Sequence, residues 1–132
     1  MVAGLAGLLL RQELFSPSPL VIAVQVCAVA LMIWARVTFG QRSFHAAANP
    51  TAGGLVTIGP YRFIRHPIYT AVCLFLWPGA IAHGSAIAIS MALLSTVGAV
   101  LRMWCEEQLL VGTYPEYAVY AKKTKRMIPG VF

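Results

Sequence analysis

Residues 85–107 read SAIAISMALLSTVGAVLRMWCEE, and this stretch decides what kind of fold the chain adopts. Its first seventeen residues carry no charge, and Arg102 comes only near its end. A helix of about 20 residues is about 30 Å long, which matches the hydrocarbon core of a bilayer. The stretch therefore predicts a transmembrane helix over 85–105 whose polar end carries Arg102, Glu106 and Glu107.

The rest of the chain is similarly apolar. Of its 132 residues, 59% are hydrophobic and 11% are charged, whereas an average soluble domain has about 25% charged residues. So few polar groups cannot cover the surface of a small soluble domain. Two more apolar stretches are 20–39, which follows the helix-breaking segment 16–19, and the shorter 68–83, which contains Pro78-Gly79. The sequence predicts an all-α integral membrane protein with three transmembrane helices.

The two ends of the chain are expected to form short helices. Residues 2–10 are apolar but too few to cross a bilayer alone, and Arg11-Gln12-Glu13 interrupts them. We expect a short interfacial or partly inserted helix there, and the sequence leaves open whether residues 2–14 insert. A second short helix is expected on the cytoplasmic side near Tyr117. The whole chain, 1–132, is interpreted as a single membrane domain.

The charges alternate with the apolar stretches. Residues 67–101 carry none, and residues 102–132 sum to +2 out of a net +6. The loop 36–66 has no acid and four arginines, namely Arg36, Arg42, Arg62 and Arg65. Because basic loops stay in the cytoplasm, this loop and the C-terminus are predicted on the cytoplasmic face of a multi-pass protein. The basic residues flank apolar spans and form no continuous stripe, so the bilayer is the expected partner and nucleic acid is not.

Residues 59–69, GPYRFIRHPIY, gather polar side chains where the second apolar stretch begins. Pro67 suits the first turn of a helix, so the helix should begin there with His66 near its cap. The free N–H groups of that turn, together with Arg62 and Arg65, favour an anionic ligand. Arginine and tyrosine also mark the headgroup boundary of many membrane proteins, and the residues alone leave both interpretations open.

A second group of polar side chains lies at the end of the third apolar stretch. Arg102 and Glu106 are four residues apart and share one helix face, while Glu107 points about 100° away from Glu106. Acids at a helix C-terminus oppose the helix dipole and lose hydration beside a membrane. They indicate either a chemical role or a helix that simply continues into the cytoplasm.

The cysteines and histidines lack the spacing of a metal site, a redox motif or a disulfide framework. No metal site is expected from them. They are Cys27, Cys73, Cys105, His45, His66 and His83.

Taken in order, the polar motifs resemble the isoprenylcysteine carboxyl methyltransferase family, which is related to the membrane phospholipid N-methyltransferases. The resemblance covers residues 54–130, which would form the methyltransferase core with its cofactor site. The motifs that carry it are Gly59-Pro60-Tyr61-Arg62, Arg65-His66-Pro67-Ile68-Tyr69, Arg102 with Glu106-Glu107, Tyr114-Pro115-Glu116-Tyr117 and Arg126-Met127-Ile128-Pro129.

The resemblance implies an enzyme that uses S-adenosyl-L-methionine at the cytoplasmic face, without the glycine-rich loop of soluble methyltransferases. It implies catalytic roles for Arg102 and Glu106. It implies cofactor contacts for Tyr61, His66, Tyr69, Glu107 and Tyr117.

The methyl acceptor implied by the resemblance is lipophilic or lipidated, and an isoprenylcysteine-like carboxylate is the first expectation. Such a carboxylate is already ionised, and Arg102 would orient it. The alternative is the amine of a phosphatidylethanolamine-type lipid, which needs a carboxylate such as Glu106 to take its proton. The residues suit both acceptors.

A small membrane transporter is the alternative from another functional class. A carrier of this kind needs a carboxylate near the middle of the bilayer. The interiors of all three predicted spans lack an acid, and Glu106 lies at a boundary. This distribution favours the enzyme, while the oligomeric state is not determined by the sequence.

Overall fold

The computed structural model describes residues 2–10, 14–40 and 54–132. Within these ranges the chain is helical and has one isolated β-bridge. The elements are α1 (Val2–Leu10), α2 (Pro19–Phe39), a 3-10 turn (Gly59–Arg62), α3 (Pro67–His83), α4 (Ala86–Thr113) and α5 (Tyr117–Lys123). The interruption at 11–13, and Arg42 and His45 of the basic loop, lie outside the described residues.

Two helices are long and apolar enough to cross a membrane. They are α2, with 21 residues, and α4, with 28. The third predicted span, α3, is an apolar helix of 17 residues, which reaches about 25 Å. The all-helical membrane fold is thus supported with two candidate spans among the described residues, and crossing by α3 stays a prediction.

The boundaries of α3 follow from its local sequence. Pro67 occupies the first turn and His66 is the N-cap, as the sequence predicts. The helix ends at Gly84, whose φ of 65° lies in the left-handed region that glycine tolerates best. The Ser85 hydroxyl then accepts a hydrogen bond from the Ala88 amide at 3.2 Å and caps α4. The two helices therefore form a tight antiparallel hairpin.

Helix α4 continues well beyond the predicted end at residue 105. It runs to Thr113 because residues 106–113 contain no proline, and it stops just before Pro115. Glu107 lies in this extension and is buried, with 7% of its surface exposed. The interpretation in which both acids are solvated on a cytoplasmic extension is therefore wrong for Glu107.

Small residues let the helices approach one another closely. Ala92 and Ala99 of α4 are fully buried. A Cβ atom on Gly4 of α1 would collide with the Ser95 side chain, and one on Gly7 would collide with Met91. The N-terminal segment is thus a helix, as predicted, and it packs against the first half of α4. Its interfacial or partly inserted placement stays a prediction.

A buried amide anchors the segment before α2. The Gln25 side chain donates to the carbonyl oxygens of Leu14 at 2.8 Å and Phe75 at 3.1 Å. Gly79 allows this approach, because a Cβ there would collide with the Leu14 backbone. Non-helical backbone packed among apolar helices needs hydrogen bonds from the protein, and Gln25, the only polar residue inside the predicted first span, supplies one.

The C-terminal segment returns to the beginning of α3. The Arg65 amide donates to the Lys125 carbonyl at 2.7 Å, and the His66 amide donates to the Arg126 carbonyl at 2.9 Å. The Thr70 hydroxyl donates to the Met127 carbonyl at 2.9 Å. These contacts bring the tail, the first turn of α3 and the last turns of α4 together at one end of the helices, which we call the site end.

Candidate functional site

Glu107 is the centre of the ionic contacts at the site end. Its Oε1 atom accepts from Arg65 Nε at 2.9 Å and lies 3.1 Å from His66 Nε2. Its Oε2 atom accepts from Arg126 Nε at 3.0 Å. One carboxylate of α4 therefore connects the start of α3 with the C-terminal tail.

The partners of Glu107 determine the proton position on His66. Two guanidinium groups contact Glu107, so its carboxylate is ionised and can only accept hydrogen bonds. His66 Nε2 must then carry the proton and donate to Glu107. In a neutral ring this leaves Nδ1 as an acceptor.

Glu106 accepts hydrogen bonds from two helices. Its Oε1 atom accepts from the Tyr69 hydroxyl at 2.6 Å and from Arg102 Nε at 3.1 Å. Its Oε2 atom lies 3.8 Å from His66 Nδ1. The predicted i,i+4 pairing of Arg102 with Glu106 is confirmed. His66 lies between the two adjacent glutamates even though they point to different sides of α4.

Two tyrosine hydroxyls at the site end are buried without a hydrogen-bond partner among the described residues. They belong to Tyr61, which is 5% exposed, and Tyr117, which is 2% exposed. Burial raises the pKa of both phenols above the ordinary value, so both stay neutral. Buried polar groups nearly always have a partner, so these two hydroxyls are candidates to contact a ligand.

Tyr120 links the two orphan tyrosines. Its hydroxyl donates to the Tyr61 carbonyl at 2.6 Å. Its ring packs edge-on against Tyr117, with a centroid separation of 6.0 Å. Burial raises the pKa of the Tyr120 phenol to about 12. The short helix α5, predicted near Tyr117, is thereby attached to the turn that precedes α3.

Arg65 makes more contacts than the sequence indicates. Besides Glu107, its Nη1 atom donates to the carbonyls of Ala121 at 2.8 Å and Thr124 at 2.5 Å. These carbonyls lie at the C-terminal end of α5, where backbone acceptors need partners. Arg65 thus joins α4, α5 and the start of α3.

The structure brings the sequence-predicted site residues to one end of the molecule, where one of the expected cations lies on the surface. Arg62, expected to attract an anion together with Arg65, is exposed, and its guanidinium lies 5.1 Å from the centroid of the Phe63 ring. The residues in direct contact with one another are His66, Tyr69, Arg102, Glu106 and Glu107. Tyr61 and Tyr117 are buried near the two glutamates. Tyr120 contacts both tyrosines and so connects them.

Sequence reasoning missed the contact roles of Arg65, Arg126 and Tyr120. Arg65 and Arg126 both belong to recognised motifs, but their pairing with Glu107 depends on the return of the tail. One signal in the sequence indicates these contacts. A buried acid near a helix end requires cations, and the arginines beside His66-Pro67 and Met127 can supply them.

The described ranges 2–10, 14–40 and 54–132 contain no group of three or more His, Cys, Asp or Glu side chains that could hold a metal ion. The cysteines are free. Cys27 and Cys105 are exposed, and Cys73 is partly buried.

An apolar all-helical chain with its ionisable groups gathered at one end of its helices defines a membrane protein with a polar site at the edge of the bilayer. The family model for phospholipid methyltransferases matches residues 18–117, and the chain belongs to this family. The family is part of the group of membrane methyltransferases related to the isoprenylcysteine carboxyl methyltransferases, so the resemblance drawn from the motifs is confirmed.

Two curated relatives are similar to the chain. The cobalt-zinc-cadmium resistance protein CzcN of Cupriavidus metallidurans is 32% identical over 119 residues, which cover 85% of this chain and 50% of that protein. The nickel-cobalt-cadmium resistance protein NccN of Alcaligenes xylosoxydans xylosoxydans is 38% identical over 80 residues, covering 57% of this chain and 36% of that protein. The chain thus spans half or less of the length of these relatives. No solved structure matches it.

Proposed function

We propose that this protein transfers a methyl group from S-adenosylmethionine to a lipophilic acceptor that reaches the site from the bilayer. Membership of the phospholipid methyltransferase family supports methyl transfer. The observation that carries the proposal is the placement of His66 between Glu106 and Glu107, at the end of apolar helices. There a water-soluble cofactor and a lipid can meet.

The chemistry of the side chains fits the cofactor. S-adenosylmethionine, when bound, supplies an electrophilic methyl group on a positively charged sulfur. Its other groups are a carboxylate, an ammonium, ribose hydroxyls and adenine, which need hydrogen-bond donors and acceptors. The orphan hydroxyls of Tyr61 and Tyr117 are neutral and can serve either need. The residues that would hold the cofactor are Tyr61, His66, Tyr69, Glu107 and Tyr117.

Arg102 and Glu106 would act on the acceptor. Methyl transfer from a sulfonium is an in-line displacement, so the protein mainly aligns the reactants and excludes water. The Arg102 side chain is 36% exposed and would orient an anionic headgroup from its place beside Glu106, while Glu106 would attract a cationic one. The isoprenylcysteine-like carboxylate is thus one candidate acceptor. The phospholipid amine is the other candidate acceptor. The Glu106 Oε2 atom, which lies beside His66, favours this amine because it could take the amine's proton.

The proposal includes an arrangement in the membrane. In this proposal α3 is a third, short span, and the site end faces the cytoplasm. Supporting this orientation, exposed cations surround the site end: Arg36, Arg62, Lys122, Lys123 and Lys125. The relatives are named for metal resistance, and those names identify no methyl acceptor.

Two measurements on the purified full chain in detergent test the proposal. Calorimetry with S-adenosylhomocysteine should detect binding. A radiolabelled methyl-transfer assay should then label at least one of three acceptors: a farnesylcysteine analogue, phosphatidylethanolamine or a small lipophilic thiol. Absence of heat at millimolar S-adenosylhomocysteine together with absence of label would refute the proposal. Substrate-dependent proton flux in liposomes would favour the transporter instead.

A further inference from the structure

Helix α4 is longer than a bilayer is thick. It has 28 residues and is about 42 Å long, whereas the hydrocarbon core of a bilayer is about 30 Å thick. Trp104 is 61% exposed and marks the headgroup level, where tryptophan is enriched. Thr113 lies nine residues, or about 13 Å, further along the helix. In the proposed orientation α4 therefore carries the chain into the cytoplasm before Pro115.

The C-terminal tail then returns to the bilayer surface. The Arg65 amide, just before α3, donates to the Lys125 carbonyl at 2.7 Å. The Thr70 hydroxyl, in the first turn of α3, donates to the Met127 carbonyl at 2.9 Å. Because α3 is apolar from its first turn onward, residues 125–132 are held at the level where this helix leaves the headgroups and enters the hydrocarbon.

The tail and the turn before α3 present a surface that is both basic and apolar at this level. Phe63 and Ile128 are each 52% exposed, and Val131 is 73% exposed. Three exposed lysines lie beside them along the chain. We call this the tail surface, and it consists of Phe63, Lys122, Lys123, Lys125, Ile128 and Val131.

The positive charge of the tail surface is not neutralised by the protein. Among the residues described over 54–132, none of the three lysines forms an ion pair. Glu106 and Glu107 are engaged by arginines. The exposed Glu116 precedes α5, whereas Lys123 ends this helix, which is about 10 Å long. The tail surface therefore attracts an anionic partner.

We propose that the tail surface binds the headgroups of anionic lipids in the cytoplasmic leaflet and that this contact strengthens cofactor binding. Each lysine near an anionic membrane surface adds about fivefold to the affinity, and apolar side chains among the lysines insert between headgroups. Zwitterionic lipids allow the insertion without the charge attraction. The lipid contact depends on the proposed orientation, and its effect on the cofactor rests on the proposed function.

A lipid suits this surface better than an acidic protein, because the surface lies at headgroup level beside the helices that enter the bilayer. The bound lipid is also distinct from the methyl acceptor. Within the described part of the chain, the three lysines form no hydrogen bond or ion pair with Arg102 or Glu106, which are proposed to act on the acceptor.

Arg126 connects the tail surface to the candidate site. It follows Lys125 directly, and its Nε atom donates to Glu107 Oε2 at 3.0 Å. Its carbonyl accepts from the His66 amide at 2.9 Å. Lipid that orders the tail therefore favours the conformation in which Glu107 and His66 keep these contacts. By reciprocity, a cofactor that needs the same conformation strengthens the lipid contact.

The first test measures the depth of the tail and requires no turnover. The full chain, with its three cysteines replaced by serine, carries an environment-sensitive fluorophore on Val131→Cys. In nanodiscs, its emission should shift to shorter wavelength when phosphatidylglycerol is added to phosphatidylcholine. High salt should reverse this shift, because it screens the lysines. The same fluorophore on Thr113→Cys, beyond the headgroups, should not respond.

The second test measures S-adenosylhomocysteine affinity of the unlabelled protein in both kinds of nanodisc. Binding should be about tenfold tighter with phosphatidylglycerol, within the usual range of coupling between two sites. Lys122→Gln, Lys123→Gln and Lys125→Gln together should bring this ratio close to one. The matched control replaces the same lysines by arginine, keeps the charge and should keep the ratio. Each protein is compared with itself in two lipids, so a purely structural loss leaves the ratio unchanged.

Three results would overturn the inference. The first is a Val131 label that responds equally in both nanodiscs. The second is an equal response to sodium phosphate in phosphatidylcholine alone, which would make the partner a free anion. The third is a wild-type affinity ratio close to one. Absence of S-adenosylhomocysteine binding in either nanodisc would instead refute the proposed function and the coupling with it, while the label still decides the lipid contact.

Discussion

Arg65 Nε lies 2.9 Å from Glu107 Oε1, and this contact joins the start of α3 to the last turns of α4. Both side chains are 9% exposed. The same guanidinium holds the last carbonyls of α5, so three parts of the chain meet at one residue. The integrity of the candidate site should therefore depend on Arg65 more than on any exposed arginine.

Replacing Arg65 by Gln should lower the free energy of unfolding by about 3 kcal/mol, because Glu107 is left buried with fewer cations. S-adenosylhomocysteine affinity should also fall, since Glu107 and the tail lose their anchor. Thermal unfolding and calorimetry measure the two effects. Arg62→Gln is the matched control, because Arg62 is exposed and its guanidinium lies over the Phe63 ring. Equal effects of the two substitutions would contradict this role of Arg65.

Tyr117→Phe should change stability and cofactor affinity in opposite directions. Removing a buried hydroxyl without a partner leaves the ligand-free protein equally or more stable, by up to about 1 kcal/mol. The same change should weaken S-adenosylhomocysteine binding if the hydroxyl contacts the cofactor. Tyr120→Phe is the control, since its hydroxyl already donates to the Tyr61 carbonyl and its loss should destabilise the protein by about 1 kcal/mol. Unchanged affinity in Tyr117→Phe would remove that tyrosine from the cofactor site.

Gly79→Ala should destabilise the protein, because the added Cβ collides with the Leu14 backbone that Gln25 holds. Gly112→Ala in α4 is a matched control. A Cβ there meets nothing within 4 Å, and alanine favours helix by about 1 kcal/mol over glycine. The melting temperature should fall for the first variant and stay equal or rise for the second. A Gly79→Ala protein as stable as the wild type would show that the close approach is not required.

Stability should decrease at high pH through Tyr120. Its pKa is raised from 10.0 to about 12 by burial, so the native state resists ionisation that the unfolded chain undergoes freely. The stabilising effect is complete below about pH 10 and is lost as the pH rises towards 12. Melting temperatures from pH 8 to pH 12 measure it, and Tyr120→Phe should show a shallower decrease. Parallel curves for the two proteins would argue against this assignment.

Glu106→Ala and Glu107→Ala should affect different steps. Glu106 contacts Tyr69 and Arg102, so its loss should abolish turnover more than it weakens cofactor binding. Loss of Glu107 should mainly weaken binding, because it releases His66 and two arginines. Rates and S-adenosylhomocysteine affinities measured side by side separate these effects. Full activity in both variants would contradict the site assignment.

The elements of the fold follow closely from local sequence. Apolar stretches with almost no charge predicted α2, α3 and α4, and Pro67 marked the start of α3, because these signals act within a few residues. The end of α4 was predicted eight residues too early. The prediction ended the helix where the acids begin, whereas the helix continues to Thr113, and Glu107 in this extension is held by Arg65 and Arg126.

The sequence by itself determined that the chain is a helical membrane protein and that its few charged residues concentrate near the helix ends, because so few polar groups cannot cover its apolar surface in water. Only the tertiary structure decided which charges meet. His66 reaches both Glu106 and Glu107, and Arg126 returns from the tail to Glu107, because hydrogen bonds between residues 63–66 and 125–126 bring distant segments together. Such long-range pairing has no signature in local spacing.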